Sequence, residues 1–112
     1  MQHPQQLPSC TGFANGRTRT EHFNKHPSAL DNEIEYERQG IQFMNQAKDT
    51  FNQGSHVEGL YTSIKASNGD FVAIFWNTED NLGLFGTMTS AGVLRTFFGI
   101  TTAKSFVQLL SV

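Results

Sequence analysis

Only one cysteine, Cys10, stands in 112 residues. That excludes an internal disulfide and a zinc knuckle built from cysteines. Charge is sparse as well: 16% of residues carry it, and the net balance is -2. A general coat for nucleic acid is normally basic, so that class is disfavoured. A nucleic-acid enzyme is not, because a local cluster of cations suffices. No stretch is long and apolar enough to cross a membrane as a helix. The first nine residues lack the apolar core of a secretory signal. If the protein leaves its cell, export is expected from a larger parent chain.

What the sequence does hold is aromatic bulk. Ten phenylalanines sit in a chain that is 38% hydrophobic. A short chain buries enough surface only with large apolar side chains. The length fits one domain. Residues 1–18, rich in Gln, Pro, Gly and Asn, read as a flexible lead-in or linker. Residues 19–112 read as a single domain of α+β class. N-terminal helices are expected to pack on an antiparallel meander of about four strands, with a short helix at the C-terminus.

Thr20 is expected to cap a short helix over 21–26, which Pro27 ends. Ser28 or Asp31 then caps a longer helix reaching about residue 52. Leu30, Ile34, Ile41, Met44 and Phe51 recur at helical spacing and mark its buried face. The acidic run from Asp31 to Glu37 suits the positive end of the helix dipole. Gly40 marks either close packing or a break, and Gln53-Gly54 a stop. After that the period changes to two. Strands are expected over 59–67, 70–77, 82–89 and 93–99, with Asn68-Gly69 as a type I′ hairpin turn. Residues 70–77 are apolar on both faces and fit a central strand. A final helix is expected over 103–110, capped by Thr101 or Thr102.

Two places draw attention as chemistry. In His22-Phe-Asn-Lys25-His26, the histidines stand one helical turn apart and share a face with Lys25. One imidazole can take a proton from an attacking hydroxyl, and the other can return one to the leaving oxygen. A neighbouring cation stabilises charge building on a phosphate. The same residues also fit an ordinary solvated helix face. Zinc is a third reading, but the glutamate expected after the first histidine of a zinc protease helix is replaced by Phe23.

The second place is Arg95-Thr96, where a cation interrupts an apolar strand. Arginine in a sheet is costly unless it is paired or serves an anion. Strict alternation turns Arg95 and Thr96 to opposite faces. Arg17, Arg19 and Lys25 are three of eight basic residues and form a small phosphate-attracting patch, or else a solvated segment. Tyr61 and Trp76 can stack on bases, with core packing the better reading for Trp76. Tyr36 is expected half-buried, its hydroxyl reaching the surface.

Taken in order, His22-Phe-Asn-Lys-His26, Tyr36 in a long helix, Asn68-Gly69, Asn81-Leu-Gly83 and Gly92-Val-Leu-Arg95-Thr96-Phe97-Phe98 resemble a known group. They are similar to the C-terminal ribonuclease domains of bacterial polymorphic and contact-dependent inhibition toxins. These belong to the barnase/EndoU/colicin/RelE-like nucleases. The resemblance spans roughly residues 19–98. Pro27 replaces the glycine usual after the second histidine, Gly40 a small residue such as alanine, and Trp76-Asn77 a frequent Tyr-Asp. The resemblance implies a ribonuclease that needs no metal or other cofactor, with transfer RNA as a usual substrate class. His22, His26, Lys25, Arg95 and Thr96 would serve catalysis, and Arg17, Arg19 and Tyr36 would bind substrate. It further implies delivery as part of a larger effector into the cytoplasm of a target cell, and restraint by a cognate immunity protein. A non-catalytic interaction module and a metal-dependent nuclease using His22 and His26 are the alternatives.

Overall fold

A computed structural model describes residues 6–25 and 32–110. Eight elements follow in order: β1 (Gly12–Phe13), α1 (Gly16–Lys25), α2 (Glu33–Gln53), β2 (Leu60–Ile64), β3 (Phe71–Asn77), β4 (Leu82–Met88), β5 (Val93–Ile100) and α3 (Ala103–Leu110). The sheet has five strands in the order β1-β5-β4-β3-β2. β2 to β5 form the expected antiparallel meander. β1 adds a strand that the sequence did not announce, parallel to β5 through Gly12–Val93 and Phe13–Leu94.

That strand corrects the reading of residues 1–18 as a loose lead-in. From residue 6 onward the segment belongs to the domain. Leu7, Cys10 and Phe13 are buried in the main core. Its backbone is tied to α2, where Asn52 Oδ1 accepts from Leu7 N (2.9 Å) and Asn45 Oδ1 from Cys10 N (2.6 Å). Gly92, at φ +89°, opens β5 so close to the Ser9 carbonyl that a Cβ there would overlap it. A composition poor in apolar residues hid this segment because its anchoring is done by a few residues and by side-chain amides from α2.

Helix α1 starts earlier than Thr20 suggested. Asn15 is its cap, accepting from Thr18 N (2.9 Å), and Thr20 lies inside the helix with its hydroxyl donating to Glu33. Helix α2 is capped by Asn32, which accepts from Glu35 N (2.8 Å); Ser28, Leu30 and Asp31 lie outside the described residues. It ends at Gly54 in the left-handed region, as the Gln53-Gly54 stop suggested. Its buried stripe is Tyr36, Gly40, Phe43, Met44 and Ala47. Ile34, expected on that stripe, is 57% exposed. Gly40 marks close packing: a Cβ there would meet Leu94 Cδ2 at 2.9 Å and the Phe97 ring at 3.2 Å. The helix therefore lies directly on β5.

The β2–β3 hairpin also departs from expectation. Lys65 and Asp70 close the ladder, leaving residues 66–69 as the loop. Only Gly69 has positive φ there. Asn68 instead turns its side chain onto the following backbone, accepting from Asp70 N (3.0 Å). A side chain that bonds two residues on removes the need for a type I′ pair.

The sheet divides two cores. On the α2 face lie Phe71, Ala73, Met88, Leu94 and Phe97. On the other face Val72, Ile74, Trp76, Phe85 and Ile100 pack with Phe98 and with Phe106 and Leu109 of α3. The Trp76 and Phe106 rings stack at 5.2 Å. Trp76 is thus a core residue, as its strand predicted. No helix among the described residues is long and apolar enough to cross a membrane.

Candidate functional site

His22 sits in the last turn of α1 with Lys25, three residues on. Cations are favoured at that end of a helix. Glu21, His22 and Lys25 line a shallow depression of about 120 Å³. Phe13 of β1 lies flat against the imidazole, centroids 5.2 Å apart and planes 13° apart. Burial holds the His22 pKa below its ordinary value, and the Lys25 charge pushes the same way. A neutral imidazole beside an ammonium group is the result at neutral pH. Lys25 itself is exposed. His26 lies outside the described residues.

The basic patch expected from Arg17, Arg19 and Lys25 is largely occupied by carboxylates. Arg17 pairs with Glu21 (3.2 Å) in the open. Arg19 bridges Glu33 and Glu37, each at 3.4 Å, and so pins α1 to α2. Glu37 also accepts from Phe13 N (3.0 Å), so one carboxylate holds both α1 and the β1 edge. In the sequence Glu37 reads only as one of an acidic run.

Tyr36 is not half-buried with its hydroxyl at the surface. It is 1% exposed, its hydroxyl donates to the Phe97 carbonyl, and its ring packs against Phe13, Phe23 and Phe97. Burial pushes its pKa up to about 12. It is a structural residue, out of contact with any substrate at the surface.

Arg95 ion-pairs with Asp70, Nε to Oδ2 at 2.7 Å. Asp70 is almost fully buried, its side chain 6% exposed, while that of Arg95 is 55% exposed. A break in strict alternation makes this pairing possible. Thr87 pairs with Thr96 and Met88 with Leu94, so Arg95 is the extra residue of a β-bulge. Leu94 and Phe97 can then both face Gly40 of α2, while Thr96 joins the opposite face. Thr96 is half-buried opposite the buried Thr87. The sequence held one faint sign of Asp70: a carboxylate immediately ahead of the most apolar strand.

The two expected halves of the site are therefore not brought together. His22 rests on Phe13 of β1, whereas Arg95 reaches across β4 to Asp70 at the head of β3. Phe13 belongs to the core under α2, whereas Asp70 shares the face of Val72, so the two contacts fall on opposite faces of the sheet. Among the described residues no three His, Cys, Asp or Glu side chains gather to hold a metal ion. No family model, curated protein or solved structure matches the chain.

Proposed function

We propose that this protein is a metal-independent RNA endonuclease whose chemistry centres on His22 and Lys25. The observation that carries the reading is the His22 imidazole, kept neutral by burial and by Lys25 at the mouth of an open depression. A neutral imidazole is what a general base at physiological pH requires. His22 takes the proton of a ribose 2′-hydroxyl, whose oxygen attacks the adjacent phosphorus. The bond to the 5′-oxygen breaks, leaving a cyclic phosphate, and that oxygen receives a proton from the second imidazole, assigned to His26 by its one-turn spacing. Lys25 faces the charge on the phosphorane. Arg95 and Thr96 are not assigned to the reacting phosphate, and Tyr36 is given no part in substrate binding.

The resemblance to toxin nucleases supports the wider setting: transfer RNA as substrate, delivery within a larger effector into a target-cell cytoplasm, and a cognate immunity protein. A second reading, an interaction module, is favoured by one feature. Tyr61 and Leu110, both substantially exposed, line one groove of about 160 Å³. The deciding experiment incubates the protein with total bacterial RNA in excess chelator. Discrete cleavage is expected, falling about 10²–10⁴-fold in a folded His22→Ala variant. No cleavage by the folded wild-type protein, with or without added metals, would move the reading to the interaction module.

A further inference from the structure

We propose that Arg95, exposed at the bulge of β5, is an anchor for the RNA phosphate backbone, with Asp70 as the residue that positions it. The inference rests on the nuclease reading for the identity of its ligand, but its site is distinct from the His22 depression.

Val72 belongs to the core on the α3 side. Asp70 precedes it by two, so it shares that face. Ser63 and Thr87 flank Val72 in the neighbouring strands, and Thr96 flanks Thr87. Lys65 closes the hairpin against Asp70, its N–H donating to the Asp70 carbonyl (2.8 Å), and so it lies on this face too. Helix α3 packs on the cluster of Val72, Ile74, Trp76, Phe85 and Ile100, and its Leu109 and Leu110 line a groove with Ser63 and Val72. Toward the hairpin Asp70 and Thr87 are buried and Thr96 half-buried, and Arg95 is the exposed cation that pairs with the Asp70 carboxylate.

Asp70 is the informative residue. A carboxylate this buried is tolerated only when paired. Its partner is brought from two strands away by a bulge, and the same oxygen, Oδ2, also accepts from the Asn68 amide (3.3 Å). If neutralising Asp70 were all that mattered, Lys65, directly opposite at about 5.5 Å between Cα atoms, stands closer in the ladder. Among the described residues Lys65 forms no ion pair. Arg95 is instead held by Nε, and its side chain is more than half exposed. A guanidinium fixed in place with most of its side chain exposed suits a phosphate, the ligand for which the arginine fork is preferred.

Binding is measured with a short, fully 2′-O-methylated single-stranded RNA, which has no 2′-hydroxyl to attack and so reports affinity whether or not the protein cuts. Asp70→Asn adds a positive unit to a chain of net charge -2. Simple electrostatics then predicts tighter binding. Positioning predicts the reverse, a weakening of about three- to tenfold. The double variant Asp70→Asn/Arg95→Gln leaves net charge unchanged and no buried charge orphaned, so it decides the matter if Asp70→Asn alone does not fold. It is expected to weaken binding about tenfold and to lower the salt slope by about 0.7, the share of one single-strand phosphate contact. Unchanged or tighter binding in the folded variants overturns the proposal. If binding behaves as expected while the wild-type protein cuts no RNA, the anchor stands and the nuclease reading falls.

Discussion

Helices α2 and α3 lie on opposite faces of one sheet and close it to different degrees. Under α2, Tyr36, Phe43, Met44 and Ala47 are buried, and Gly40 lets the backbone settle onto Leu94 and Phe97. Residue 6 onward wraps the same side, adding Leu7, Cys10 and Phe13. Under α3 no helix residue is fully buried: Phe106 and Leu109 touch the sheet while Val107 and Leu110 stay exposed. One face is thus a filled core. The other is apolar under α3 and turns polar toward the hairpin, where buried Asp70 meets the exposed Arg95. Stability is expected to reside on the first face, and freedom to meet a ligand on the second.

The contrast is tested most strongly by truncation. Tyr36→Ala is expected to cost about 3–5 kcal/mol in urea unfolding, and Phe106→Ala, half-buried, about 1–2 kcal/mol. Equal costs would break the comparison. Next comes the wrapped N-terminal segment. Gly92→Ala forces a side chain into a positive-φ position against the Ser9 backbone. The expected cost is about 1–3 kcal/mol, with limited proteolysis moving to residues 6–11. Unaltered proteolysis would show that this segment does not depend on Gly92.

Two titrations sharpen the picture with smaller effects. The folded Tyr36 pKa, about 12, lies above its unfolded value near 10. Its stabilising share is present below pH 10 and lost as pH rises toward 12. Tyr36→Phe should remove that alkaline slope while costing about 1 kcal/mol at neutral pH through the lost hydrogen bond to Phe97. His22 behaves in the opposite sense. Its folded pKa lies below the unfolded 6.5, so its share is present above pH 6.5 and lost as pH falls through the folded value. His22→Gln should flatten this acid slope, read from unfolding midpoints across pH 4–7. A slope of the same size in the variant would remove His22 as its source.

Much of the architecture was legible in the residues. The meander, the fully apolar β3, the stop at Gly54 and the final helix over 103–110 all follow from period, turn chemistry and caps. These are local properties, set by neighbours a few residues apart. The candidate site was legible only in part. The His22–Lys25 pair needs nothing beyond helical spacing, and it is found together. Arg95 was visible as an anomaly in its strand, but its partner was not, because Asp70 meets it across β4 and only through a bulge. Strict alternation, the rule available from sequence, fails at a bulge by construction.

Tyr36 and β1 teach the same lesson. A tyrosine in an amphipathic helix carries no mark of what its hydroxyl will reach; here a carbonyl of β5 takes it inside. Gly12-Phe13 is too short to register as a strand, and becomes one because Glu37 and the β5 edge supply its partners. The sequence by itself determined the elements and their order, since hydrophobic period and backbone propensity act over one or two turns of chain. Only the tertiary structure decided which carboxylate holds which cation, because those pairings join residues that folding alone makes neighbours.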